Sequence, residues 1–161
     1  MDSTGDVQTA QPQRDDYNVV MTHPVSLRFR EPLVAARLKA EAEASARSAS
    51  ALAEELIDEG LRMRRHPLIV FRSSTAGRRA GLLGGPDVWE VVGGVVGGDV
   101  APSKRVQRAV ELFGLRTEQI EAALTYYAEF TDEIDSQIDA NRTAADEAEE
   151  LWRRKRDLLL R

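Results

Sequence analysis

Residues 24–30, Pro-Val-Ser-Leu-Arg-Phe-Arg, alternate apolar Val25, Leu27 and Phe29 with polar Ser26, Arg28 and Arg30. Successive side chains of a strand point to opposite faces, so this period of two predicts a short β-strand with one apolar and one polar face. A lone strand leaves its backbone N–H and C=O groups unpaired, and the next β-prone run begins only at Leu68. The expected partner is therefore the same strand of a second copy, and the chain is expected to dimerise.

Two helices are expected behind that strand. Pro32 suits a first helical turn, and residues 31–45 are dominated by Ala, Glu, Lys, Arg and Leu, with Leu33, Ala36, Leu38, Ala40 and Ala42 as a modest apolar stripe. Ser48 is placed to cap a second helix over 49–64, where Leu52, Leu56, Ile57 and Leu61 recur at helical spacing; Gly60 weakens its interior. Val25, Leu27, Phe29, Leu52 and Leu56 are the expected dimer core. The outward face offers Ser26, Arg28 and Arg30. Two antiparallel copies form a ribbon narrow enough for the major groove of DNA, where Arg donates twice to guanine and Ser serves either edge. The second helix start, at Arg47 and Ser48, presents free N–H groups and a favourable dipole to a phosphate.

From Pro67 onwards the pattern changes. Leu68–Phe71 is an apolar β-prone run, Ser73–Arg79 is expected as a turn, and Ala80–Leu83 as the returning strand ended by Gly84, Gly85 and Pro86. Asp87 and Glu90 stand at capping-box spacing before a short helix, which the run GGVVGG at 93–98 must bend or end. Ser103 and Thr117 are expected to cap two further helices, with Gly114 closing the first of them. Trp89 and Phe113 are expected in the core, and Tyr126 and Tyr127 are expected to divide between packed and rim positions. From about Thr131 one long polar helix, or two in line, is predicted, its apolar residues too sparse to bury a full face.

The net charge of −5 argues against a general nucleic-acid sponge but leaves room for a local DNA-binding face. The last segment is split: acidic through Glu150, then Arg153, Arg154, Lys155 and Arg156 together. With no cysteine and two separated histidines, His23 and His66, neither a thiolate nucleophile nor a zinc site is expected, and the glycines match no phosphate-binding loop. A non-enzymatic protein without metal or cofactor is the expectation. The start of the sequence lacks a secretion pattern and no apolar run is long enough to span a bilayer, so a cytoplasmic location and no membrane partner are expected.

The stretch PVSLRFREPLVAARLKAEAEASARSASALAEELIDEGLRM resembles the ribbon-helix-helix repressors, a family of obligate dimers that includes many bacterial antitoxins. The resemblance implies that Ser26 and Arg28 enter the major groove, with Pro24 at the preceding outward place, and that Arg47-Ser48 touches phosphate. Pro24, lacking an N–H and a polar tip, departs from that pattern. GRRAGLLGGPDVWEVV, LRTEQIEAALTYYAEF and DEIDSQIDANR are similar to a second family of small β-plus-trihelical bacterial domains, commonly encoded beside PIN-like ribonuclease toxins. Together the two resemble VapB-type antitoxins of actinobacterial, mycobacterial-like kind. The resemblance implies an antitoxin that binds operator DNA as a homodimer or higher even oligomer and neutralises a PIN-like ribonuclease toxin.

The fold expected is mainly α with short β elements: a tail over 1–22, a ribbon-helix-helix module over 23–66, a β-plus-trihelical, helix-turn-helix-like domain over 67–130, and a C-terminal helical segment over 131–161. That last segment is expected to meet the toxin or support the dimer, with Ile138 and Trp152 as apolar contacts and Arg153, Arg154 and Arg156 as cations for an acidic nuclease site. The competing reading is a dimeric helical scaffold or regulator without a toxin partner.

Overall fold

The computed structural model of the chain describes residues 26–75, 77–96 and 100–160. The expected tail, and with it Pro24 and Val25, lies outside them. Helix α1 spans Pro32–Ala44 and α2 spans Ala49–Arg65. Pro32 stands at the start of α1 as expected, and the Ser48 hydroxyl accepts from the Ala51 N–H at 3.1 Å to cap α2. Between them Ala46 takes a left-handed φ of 51°, which lets the Arg47 N–H return to the Ala42 carbonyl and reverse the chain.

The strand expected at the front of this module is not formed within one chain: residues 26–30 belong to no helix or strand. The reason is physical. β-Structure is a pairing, and the hairpin further on takes both of its strands from its own sequence.

That hairpin joins β1, Ile69–Ser74, to β2, Gly77–Leu82, in antiparallel register from Ile69 opposite Leu82 to Ser74 opposite Gly77. The strands run closer to the turn than expected, so Ser73 and Ser74 are ladder residues. Helix α3, Val88–Val95, packs on β2, and a single 3₁₀ turn at Pro102–Lys104 leads into α4, Arg105–Phe113, then α5, Thr117–Glu129, and α6, Thr131–Leu159. Ser103 lies inside the 3₁₀ turn and caps nothing. At α5 the cap sits one residue earlier than expected: Arg116 is the cap position, and the Gln119 side chain accepts from its N–H at 3.1 Å. Asp87 likewise makes no cap bond with its side chain, which accepts from Arg72 at 2.8 Å instead. Gly114, with φ 63°, closes α4 as expected.

Among the described residues one buried apolar cluster runs from Ile69 and Leu82 on the hairpin through Val88, Val91 and Val92 of α3 to Ile120 and Tyr126 of α5 and Ile134 of α6. Trp89 and Phe113 pack at its margin, and Tyr126 is fully buried while Tyr127 sits at the rim, as expected. Gly93 and Gly94 lie within α3 rather than beyond it. Gly94 is where the Phe113 ring approaches: a Cβ there would stand 2.8 Å from the ring. By contrast, α1 and α2 between them bury only the apolar residues Ala42 and Leu52. No helix among the described residues is long and apolar enough to cross a membrane.

Candidate nucleic-acid and partner interfaces

The thin core of α1 and α2 leaves an apolar face open. Leu27, Phe29, Val34, Leu56, Ile57 and Leu61 are each at least 43% exposed, and they flank two grooves of about 770 and 860 Å³ between 26–30, α1 and α2. Of the expected dimer core, Leu52 is buried within its own chain, Leu27, Phe29 and Leu56 belong to the open face, and Val25 lies outside the described residues. Val34, which the sequence reading passed over, shares that face because it falls one turn before Leu38, a residue lining both grooves.

Ser26, Arg28 and Arg30 are exposed, as are Leu27 and Phe29 between them. Arg47 is differently placed. Its guanidinium is held at 2.6 Å by Glu55, a contact that raises its pKa, and its Nη2 reaches the Ala51 carbonyl at 3.5 Å. The charge expected to meet a phosphate is therefore matched within α2, while the Ser48 oxygen is occupied by the helix cap.

The last turns of α2 carry a second set of contacts, and these the sequence did not announce. Glu59, 7% exposed, forms a two-pronged pair with Arg78 of β2, which raises the pKa of that guanidinium. Arg62 donates to the Tyr126 hydroxyl at 2.9 Å and to Glu133 at 2.5 Å, stands 2.8 Å from Asp58, and lies over the Phe130 ring at 4.2 Å. Burial works to lower the pKa of Arg62, but its acidic and phenolic partners outweigh that and raise it. Burial pushes the Tyr126 hydroxyl up to about 12, against the opposing pull of Arg62. Arg65 and the buried His66 share Glu129, at 2.7 and 3.1 Å, and the His66 ring meets Tyr126 edge-on at 5.2 Å. Helix α2 is thus fastened at its C-terminal end to β2, α5 and α6.

Helix α6 is a single helix of 29 residues. Its first two turns are docked: Ile134 is buried and Ile138 packs against the core cluster. Every residue from 139 to 160 is exposed; Asp139 and Arg142 still border Val92, Val96 and Tyr127, and the helix after Arg142 runs on for roughly 25 Å at 1.5 Å per residue. The arm carries Leu151, Trp152, Leu158 and Leu159, each at least 58% exposed. Among the residues expected to meet a toxin, Ile138 is engaged by its own chain. Trp152 is open, with Arg156 over its ring at 4.9 Å, while Arg153 and Arg154 pair with Glu149 and Glu150 one turn back.

The acidic row Asp132, Asp135 and Asp139 does not gather into a cation site. Asp135 accepts from the Tyr127 hydroxyl at 2.9 Å and Asp139 stands 3.4 Å from Arg142. Compared with models of protein families, with curated proteins and with solved structures, the chain gives no match.

Proposed function

We propose that this protein is an antitoxin that binds operator DNA as a dimer, represses its own operon, and neutralises a PIN-like ribonuclease toxin without itself being an enzyme. The observation that carries the dimeric half is the open face of Leu27, Phe29, Val34, Leu56, Ile57 and Leu61 beside a backbone segment, 26–30, that belongs to no strand. Fully burying one such side chain is worth about 1.5–3 kcal/mol, and a second copy covers six per chain at once. The same pairing satisfies the backbone of 26–30 as a two-stranded ribbon. It brings two sets of Ser26, Arg28 and Arg30 to one surface, in a geometry that fits the major groove.

In this reading Arg28 and Arg30 carry most of the contact with DNA, and Arg47, matched by Glu55, adds little. The toxin-binding half rests on the family resemblance together with the open arm of α6, where Trp152 is the anchor and Arg153, Arg154 and Arg156 are the cations nearest an acidic nuclease site. The test is co-purification with the product of the adjacent gene, followed by binding to the upstream DNA with and without it. A complex with that product and a sequence-preferential, salt-sensitive shift of the DNA are expected. Arg28→Ala should weaken specific DNA binding by about 1–3 kcal/mol at unchanged dimer mass. Loss of the dimer in that variant would show that Arg28 faces the core, and the absence of both complex and DNA shift would overturn the function.

A further inference from the structure

Helix α2 holds two features that its own chain does not explain. The first is its charge. Glu55, Asp58, Glu59, Arg62 and Arg65 are all engaged in ion pairs within the chain. Glu54 and Arg64 are exposed and have no ion pair among the described residues. They are of opposite sign and ten residues apart, too far to meet along one helix.

The second is Gly60. A glycine inside a helix weakens it, and no close approach within the chain requires this one, since a Cβ there would meet nothing within 4 Å. Gly60 follows the exposed Leu56 and Ile57 by one turn and so lies on the open apolar face.

We infer that α2 crosses the α2 of a second copy of this chain, antiparallel, with Gly60 of each helix receiving Leu56 of the other. The inference rests on the dimer proposed above and names the surfaces that meet in it. A two-fold axis level with residue 58 turns residue 56 onto residue 60, so the position without a side chain lies opposite a leucine twice over. The same axis sets Arg64 between the levels of Ser50 and Glu54 of the other copy. The two charges left over in one chain therefore meet across the pair, twice.

The acidic residues nearest the axis do not oppose this. Asp58 is two residues from Gly60, hence on the opposite side of the helix, and stands 2.8 Å from Arg62, while Glu59 is buried against Arg78. A parallel pair in register, by contrast, sets Glu54 on Glu54 and Arg64 on Arg64, and leaves a gap where Gly60 meets Gly60. Self-complementarity under a two-fold selects a second copy over an unrelated partner. Ile57 and Leu61 lie on the flank that carries Glu54 and Arg64, and they line one groove with Leu27 and Phe29, so the crossing adjoins the ribbon segment.

The experiment uses the full chain and reads its mass and dimer dissociation by sedimentation equilibrium and native mass spectrometry. Glu54→Arg and Arg64→Glu each oppose like charges at both contacts and are expected to weaken the dimer about tenfold, and the double variant is expected to recover it. An equimolar mixture of the two single variants carries opposite charges at both contacts and is expected to form the mixed dimer in preference to either parent. Gly60→Leu is expected to weaken the dimer by at least about tenfold while the far-ultraviolet circular dichroism stays helical. Single variants that dimerise as the unaltered chain does, or a mixture that forms no more mixed dimer than chance gives, overturn the inference and leave the proposed dimer standing. A Gly60→Leu dimer as tight as the original does the same. An unaltered chain that stays single at every concentration overturns the proposed dimer itself.

Discussion

Replacing Arg62 by alanine removes the contact on which the two parts of the chain converge. The guanidinium is 20% exposed and loses charge-assisted contacts to Glu133 and the Tyr126 hydroxyl together with its position over Phe130. Charge-assisted hydrogen bonds contribute about 1.5–3 kcal/mol when buried. Because Glu133 is 32% exposed and regains water, the lower end of that range applies to the ion pair. The stacking on Phe130 adds about 1 kcal/mol. The total expected for Arg62→Ala is therefore about 3 kcal/mol of unfolding free energy.

Arg62→Lys keeps the charge but not the fork, and recovers less than half of that loss. The assay is urea denaturation at fixed protein concentration, which matters for a chain expected to dimerise, followed by circular dichroism and by Trp89 fluorescence in a Trp152→Phe background. Glu133→Gln completes a double-mutant cycle, with an expected coupling of about 1–2 kcal/mol. A loss under about 1 kcal/mol for Arg62→Ala, or a coupling near zero, would refute the view that Arg62 ties α2 to α5 and α6.

Two other perturbations test separate parts of the fold. Tyr126 is fully buried and its hydroxyl is pushed up to about 12 in the folded chain, against about 10 when unfolded, so the folded state resists its ionisation. Its contribution is fully present below pH 10 and is lost as pH rises from 10 to about 12. At most about 2.7 kcal/mol is involved, two pKa units at about 1.36 kcal/mol each, and Tyr126→Phe should flatten alkaline denaturation across that window, whereas an unchanged profile would count against the burial of the hydroxyl. Gly94→Ala places a methyl 2.8 Å from the Phe113 ring and is expected to cost about 1–3 kcal/mol, read as a lower melting temperature. Pairing it with Phe113→Leu should recover part of the loss, and a neutral Gly94→Ala would mean that the α3–α4 contact is looser than described.

Local signals in the sequence carried much of the fold. Pro32 at a helix start, Ser48 as a cap, Gly114 in the left-handed region and the β-prone run before Ala80 each act within a few residues, so pattern and stereochemistry suffice to place them. Ser103 and Thr117 misled by the same logic. Each is a good cap type, but Pro102 draws Ser103 into a 3₁₀ turn and Gln119 serves the Arg116 N–H from inside the helix. The strand expected at 24–30, of which 26–30 are described, marks a different boundary, since one chain supplies its alternation but not its hydrogen-bond partner.

By itself, then, the sequence determined the order of the helices, the hairpin, and which residues of 24–61 are apolar at regular spacing. Only the tertiary structure decided which of those apolar residues are spent inside one chain, as Leu52 and Ile138 are, and which remain open, as Phe29, Ile57 and Trp152 do. It also decided that α2 is clamped by Arg62 and Glu59, whose partners are Glu133 and Arg78. The physical reason is separation along the chain. Periodicity and capping are properties of neighbours a turn apart, whereas an ion pair spanning 71 residues exists only once the core of α3, α5 and α6 has brought its two ends together.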